Sequence, residues 1–149
     1  MKTKNIILII IIIGIVGFIT WYIKNAPKIP ESDIITQTGL HWHPELNIYI
    51  KNVKQTIPAN IGIGITEQPI HTHDGMGVIH LEFPALVTKE NTKLGNFFKI
   101  WGKQFDSNCI FEFCNGKNGM VKFFVNSKAN KDYENYLMGD GDKIEIRYE

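Results

Sequence analysis

Residues 40–51 read LHWHPELNIYIK, and the alternation within this stretch decides the fold class of the chain. Its even positions, from Leu40 to Ile50, carry apolar side chains or proline, whereas its odd positions carry polar side chains and one tyrosine. Because successive side chains of a β-strand point to opposite faces, this pattern is typical of a strand with one buried and one solvent-facing side. Pro44 cannot donate a hydrogen bond to a neighbouring strand, so we expect a bulge or an edge position there.

The chain downstream of this strand repeats the same alternation. Residues 51–54 (KNVK) predict a tight turn into a second strand, because asparagine tolerates the left-handed conformation that such turns use. Residues 71–83 (HTHDGMGVIHLEF) predict two extended runs joined by a turn at residues 74–77. Two further alternating runs lie near the C-terminus, at residues 121–125 and 144–148.

One segment of the domain has a convincing helical pattern. In residues 94–105 (LGNFFKIWGKQF), apolar side chains recur at the three- and four-residue spacing of an amphipathic helix. Thr92 is the expected N-terminal cap and Gly102 is the expected end. A short second helix is expected near residues 133–137. The sequence therefore predicts an α+β domain, in which an antiparallel or mixed sheet is covered by one or two helices.

The segment upstream of residue 39 differs from this domain. Residues 6–23 (IILIIIIIGIVGFITWYI) carry no charge, and a helix of this length spans roughly the 30 Å hydrocarbon core of a bilayer. Trp21 and Tyr22 lie at its end, where membrane interfaces favour aromatic side chains. The next residues contain two prolines and no long apolar run, which is typical of a semi-extended linker. The prediction is a cytoplasmic tip (residues 1–5), a transmembrane helix (6–23), a linker (24–38) and an extracytoplasmic domain (39–149).

The orientation follows from the charges that flank the apolar run. Lys2, Lys4 and the terminal amine precede it, while Lys24 and Lys28 follow it and are offset by nearby acidic residues. The positive-inside tendency therefore places the N-terminus in the cytoplasm and the domain outside, held in the cell membrane by an uncleaved single-pass anchor. A cleaved signal peptide is the alternative, but the residues before Pro27 lack the small-residue pattern of a cleavage site.

Charge and cysteine content narrow the function classes. The net charge is +1 and Arg147 is the only arginine, which argues against nucleic-acid binding. The expected partners are membrane lipid, through the anchor, and a membrane or exported protein. Cys109 and Cys114 would lie roughly 16 Å apart in one extended strand, whereas a disulfide needs Cα atoms within about 7 Å. An oxidising exterior favours a disulfide, so either the segment between them turns back or the two thiols stay separate.

All five histidines fall between residues 41 and 80, as two His-x-His pairs and one single histidine. Residues two apart on a strand point the same way, so each pair places two imidazoles on one face. With a turn at residues 74–77, His71 faces His80 and His73 faces Val78 on the neighbouring strand. Opposed side chains have Cβ atoms roughly 5 Å apart, close enough for two imidazoles to bind one ion. The predicted metal ligands are His41, His43, His71, His73 and His80.

The predicted ion is a divalent transition metal, with copper favoured slightly over zinc. Outside the cell copper is Cu²⁺, which nitrogen-rich sites bind more strongly than Zn²⁺. Three histidines with an open position suit catalytic zinc equally well. Glu45, Asp74 and Glu82 are expected to orient ring nitrogens or to act as bases. The opposing interpretation is a solvated polar face on which the histidines bind no ion.

The motifs HWHPEL, IPANIGI, HTHDGMGVIHLEF and LGNFFKIWG, in this order, resemble a family of membrane-anchored, largely uncharacterised exported proteins of prokaryotes. The resemblance covers roughly residues 40–102, and the closing GDKIEIRY is similar to the end strand of a β-grasp fold. It implies neither a particular metal nor a substrate. The resemblance also implies which residues belong to the shared motif: His41, His43, His71, His73, Asp74, His80 and Glu82.

Three functions are compatible with these features. The first is a non-enzymatic exported protein that binds a metal ion or hands it over at the membrane surface. The second is an exported zinc enzyme of the hydrolase or hydratase type, in which a carboxylate moves protons. The third is a metal-free interaction module that docks a partner through the surface around residues 97–101. Whether the chain is an enzyme stays open.

Overall fold

The computed structural model describes residues 2–149, and their side chains from residue 5 onward. The chain divides into two compact units, Met1–Glu31 and Ser32–Glu149. The first unit contains helix α1 (Lys2–Asn25). Its stretch Asn5–Asn25 is long and apolar enough to cross a membrane, as its length and composition show. The apolar side chains of this stretch are exposed.

The second unit is β-rich, as predicted. Within residues 32–149, short strands form one five-stranded sheet, one three-stranded sheet and two strand pairs. One α-helix, α2 (Leu94–Trp101), packs its buried side chains into the core that the five-stranded sheet forms. The strands are β1 (Ile34–Thr36), β2 (Leu40–Trp42), β3 (Glu45–Ile50), β4 (Val53–Lys54), β5 (Ile70–His71), β6 (His80–Phe83), β7 (Val87–Thr88), β8 (Cys109–Ile110), β9 (Phe113–Cys114), β10 (Val121–Val125), β11 (Lys128–Ala129) and β12 (Lys143–Tyr148).

The five-stranded sheet has the order β11-β10-β12-β3-β4. Its first long strand β3 and its last strand β12 are adjacent and parallel, and the other neighbours are antiparallel. The sheet is therefore mixed, as predicted. Ile48 and Ile146 are partners in the parallel pair, and both are fully buried. The period-two pattern therefore identified the faces of these strands correctly.

The predicted turn between the first two strands is confirmed. Lys51 and Asn52 have φ values of 50° and 65°, the left-handed conformation of a tight hairpin turn. The end of α2 is also confirmed, because Gly102 is left-handed and donates its N–H to the carbonyls of Phe98 and Lys99. The predicted cap at Thr92 is wrong. Thr92 closes a 3-10 turn that already precedes α2, and its buried hydroxyl donates to the carbonyl of Lys89.

The predicted single strand over residues 40–51 is divided in two. β2 belongs to the three-stranded sheet and β3 to the five-stranded sheet, with the break at His43 and Pro44. Proline has no N–H for a ladder, and its carbonyl here accepts from Ile79 instead. The chain therefore changes sheets at the residue for which the sequence predicts an irregularity.

The predicted hairpin over residues 71–83 is correct in register but wrong in its turn. His71 pairs with His80 across β5 and β6, as predicted. Residues 72–79 form a longer connection rather than a four-residue turn. Val78 bridges Glu45 and not His73, because the connection bonds to the start of β3, where Gly77 accepts the N–H of Leu46.

Two further segments form strand pairs that the sequence did not predict. β1 pairs with β7, so the folded unit begins at Ser32 and takes in part of the predicted linker of residues 24–38. β8 and β9 form a hairpin in which Cys109 and Cys114 are partners, with Cα atoms 4.1 Å apart and a disulfide between them. The segment turns back, with Phe111 at a φ of 55°.

Candidate metal centre

The three-stranded sheet explains why histidines distant in sequence meet. Its order is β2-β6-β5, so β6 lies in the middle. Across one edge of β6, Glu82 pairs with His41, and across the other edge His80 pairs with His71. His80 and Glu82 are two residues apart on β6 and therefore share a face. This register carries the side chains of all three strands to one place.

Two histidine pairs flank the central strand. We call His41 and His43 the β2 pair, and His71 and His73 the β5 pair. The imidazole of His80 lies between them, with its ring centre 4.7 Å from that of His43 and 4.5 Å from that of His73. All five predicted ligands thus belong to one continuous cluster.

The β5 pair forms the more buried part of the cluster. The Nε2 atoms of His71 and His73 are 3.1 Å apart. The side chain of His71 is fully buried, and its ring stacks on that of His80 with a centroid distance of 5.3 Å. The β2 pair is more open, since the side chains of His41 and His43 are 61% and 42% exposed.

Glu82 joins the two parts of the cluster. Its Oε1 lies 3.0 Å from Nε2 of His41 and 3.4 Å from Nδ1 of His80. Two groups of donor atoms result, each with its members within 4.8 Å of one another: His41, His43, His80 and Glu82, and His71, His73, His80 and Glu82. Either group could hold a metal ion.

The surroundings of His71 set the tautomer of its ring. Nδ1 lies 2.9 Å from the carbonyl oxygen of Gln68, which can only accept, so Nδ1 carries the proton. In the neutral ring, Nε2 then presents a lone pair towards His73 and towards Oε1 of Glu67, which is 3.0 Å away. A backbone carbonyl that holds the far ring N–H is the usual support of a metal-binding histidine.

His80 is held in the form that binds metals. Burial lowers its pKa, as do the positive charges that His73 and His43 would carry, and these effects outweigh the nearby Glu82 carboxylate, which raises the pKa. The ring is therefore neutral at pH 7, and a neutral imidazole is the ligand form. Within residues 2–149, Nδ1 of His80 is buried and makes no well-aligned hydrogen bond.

The three carboxylates that the sequence predicts near the ion lie in different environments. Glu82 lies inside the cluster. Glu45 pairs instead with Lys143, whose hydrogen bond lowers the pKa of the Glu45 carboxyl. Asp74 accepts the backbone N–H of Met76 and is a turn residue. Neither Glu45 nor Asp74 belongs to the two donor groups.

Two carboxylates beside the cluster were not predicted from the sequence. Glu67 reaches His71 from the loop before β5, and Oδ1 of Asp140 lies 3.9 Å from Nδ1 of His43 and accepts the His43 backbone N–H. Glu67 precedes His71 by four residues in a segment without periodicity, so no strand pattern signals it. Asp140 is almost a hundred residues from His43 in sequence, and only the closing turn before β12 brings it there.

No model of a known protein family, no curated protein and no solved structure matches this chain. The donor set itself combines five imidazoles with nearby carboxylates.

Proposed function

We propose that this protein is membrane-anchored and binds a divalent transition-metal ion through the cluster around β6, so that it holds the ion or hands it over at the membrane surface. The observation that carries the proposal is the group His71, His73, His80 and Glu82, whose donor atoms converge from two strands and the connection between them. His71 is buried, and the carbonyl of Gln68 already orients it.

The distances in the cluster support an ion. Two ligand atoms each about 2.1 Å from a tetrahedral ion lie roughly 3.4 Å apart. Nε2 of His71 and Nε2 of His73 are 3.1 Å apart, and Nδ1 of His80 lies 3.4 Å from Oε1 of Glu82. These two distances are close to that spacing, and all four donor atoms lie within 4.8 Å of one another.

The contacts of His71 are compatible with a bound cation. Its Nε2 lies 3.1 Å from Nε2 of His73 and 3.0 Å from Oε1 of Glu67. Without a metal, a proton on Nε2 of His71 would join it to Glu67, and a divalent cation can take the place of that proton because the imidazole nitrogen is a good ligand.

Copper is the favoured ion and zinc the alternative. Imidazole-rich sites bind Cu²⁺ more strongly than Zn²⁺ under the usual affinity order. The disulfide between Cys109 and Cys114 supports an oxidising exterior, where copper is Cu²⁺. The same bond supports a topology in which α1 anchors the chain and Ser32–Glu149 faces outward.

Glu67 is the one observation that favours the enzymatic alternative. Its carboxylate lies beside the proposed ion, and its side chain is about half exposed, so solvent reaches it. A carboxylate in that position is suited to take a proton from a zinc-bound water. In that case Glu67→Gln would keep the ion and lose hydrolytic activity, whereas a binding protein has no such activity to lose.

Metal analysis of the full chain, purified in detergent, tests the proposal. We expect stoichiometric Cu²⁺ or Zn²⁺ in the wild-type protein and none in the double variant His71→Ala/His80→Ala. Because His71 is buried, its replacement could unfold the protein. His73 is exposed, so His73→Ala is a second variant that the fold tolerates. Asp74→Ala, in the same loop, is the matched control and should keep the ion. Full occupancy in a folded His71→Ala/His80→Ala protein would refute the site.

A further inference from the structure

The two histidine pairs are built alike. Each is a His-x-His motif in which the first histidine lies on an outer strand of the three-stranded sheet and the second follows it. Each also has its own carboxylate. Glu67 lies 3.0 Å from His71 of the β5 pair, and Asp140 lies 3.9 Å from His43 of the β2 pair.

The pairs do not merge into one ligand set. Within residues 2–149, the donor atoms fall into two groups and not into one that contains both pairs. Copper and zinc sites take about four ligands from protein and water. One ion therefore uses one pair and leaves the other pair unexplained.

We propose that the cluster holds two metal ions that share His80 and Glu82. Glu82 has two carboxylate oxygens, so it can bind one ion on either side. A neutral His80 offers the lone pair of one ring nitrogen, and it bridges two ions when the second ion displaces the remaining ring N–H proton to solvent. The ring of His80 is nearly equidistant from His43 and His73, at 4.7 and 4.5 Å between centroids. This inference rests on the proposed metal-binding function and adds a second ion to it.

The local charge is suited to two ions. Two divalent cations at close range repel each other strongly unless anions lie beside and between them. Glu82 is positioned between the pairs, with Glu67 beside the β5 pair and Asp140 beside the β2 pair. The three carboxylates lie where they offset locally most of the charge that two divalent ions add.

The two positions differ in access. Both members of the β2 pair are exposed, whereas in the β5 pair His73 is exposed and His71 is fully buried. The ion at the β2 pair therefore meets solvent, and an external ligand can reach it first. The ion at the β5 pair is the retained one. This asymmetry identifies the β2 pair as the side through which ions enter and leave.

Copper titration of the full chain in detergent tests the inference. After loading with excess CuSO₄ and gel filtration, we expect two copper ions per wild-type chain. The matched variants His41→Ala/His43→Ala and His71→Ala/His73→Ala should each keep one. His80→Asn should lower binding at both positions. In the wild type, two Cu²⁺ ions that share a ligand couple their spins, so the paramagnetic resonance signal should account for much less copper than elemental analysis finds.

The outcomes separate this inference from the proposed function. The wild-type chain could bind a single ion that is lost in His71→Ala/His73→Ala and kept in His41→Ala/His43→Ala. That result overturns the second ion and leaves the proposed function standing. Two ions with a full spin count, or the loss of only one ion in His80→Asn, overturns the shared ligands. No bound copper overturns both proposals. A chelator should remove the ion at the β2 pair first, and equal removal rates would contradict the assigned entry side.

Discussion

His71 and His80 face each other across neighbouring strands, with their imidazole rings stacked at 5.3 Å between centroids and an interplanar angle of 12°. One ring is fully buried and the other is mostly so. Burying two imidazoles side by side has a desolvation cost, and a charge on either ring would disfavour a charge on the other. A cation bound by ring nitrogens of this stacked pair would offset part of that desolvation cost.

Loss of the central carboxylate should weaken metal binding strongly. We expect Glu82→Gln to lower the affinity at least tenfold, because Glu82 contacts both His41 and His80. Isothermal titration with Cu²⁺ measures this change. Glu45→Gln is the matched control, since Glu45 pairs with Lys143 outside the cluster and should leave the affinity unchanged. Equal losses in the two variants would count against a direct role of Glu82.

Gly77 should be intolerant of any side chain. Its φ is +90°, and a Cβ would lie 2.4 Å from the carbonyl oxygen of Leu46. We expect Gly77→Ala to destabilise the fold by more than about 1 kcal/mol, and to weaken metal binding because the connection carries His73 towards His80. Gly75→Ala is the control in the same loop, where a Cβ meets its nearest atom at 3.5 Å. Thermal unfolding compares them, and similar midpoints would contradict the expected clash.

The disulfide should stabilise the fold without supporting the metal cluster. Cys109 and Cys114 close a short loop in the β8–β9 hairpin, for which chain entropy predicts roughly 2 kcal/mol. We expect Cys109→Ala/Cys114→Ala to lower the unfolding free energy by about that amount and to keep the wild-type metal content. Chemical denaturation and metal analysis provide the two readouts. A loss of metal in a folded double variant would show that the cluster depends on this hairpin.

Asp106 should make part of the stability dependent on pH. Burial alone would raise the pKa of its carboxyl, but hydrogen bonds from Gln104 and from the backbone N–H groups of Asn108 and Cys109 hold it below the ordinary 3.8. Because the folded-state pKa is depressed, the contribution is complete above the unfolded value of about 3.9 and disappears as the pH falls through the folded value.

The variant Asp106→Asn tests this pH dependence. At pH 7 we expect it to be less stable than the wild type by about 1 kcal/mol, and near pH 2 the two unfolding midpoints should converge. Asp132→Asn, at an exposed aspartate, is the control and should follow the wild type at both values. A difference that stays constant between pH 7 and pH 2 would rule out the Asp106 carboxylate as its source.

The sequence by itself determined the elements whose signal is local. Side chains alternate with period two along β3 and β12, and the buried positions such as Ile48 and Ile146 are the apolar ones because one face must leave water. The amphipathic repeat of α2 and its end at Gly102 are local in the same way. The pairing of His71 with His80 was predictable because both belong to one hairpin.

Tertiary structure alone decided what depends on distant chain segments. The change of sheet at Pro44, the parallel neighbours β3 and β12, and the approach of Asp140 to His43 each join residues far apart in sequence. No short-range pattern encodes such contacts, since they form only when whole sheets pack. The sequence therefore identifies the histidines that could bind a metal ion. The fold divides them into two groups that share His80 and Glu82, because the order β2-β6-β5 places one strand between the two pairs.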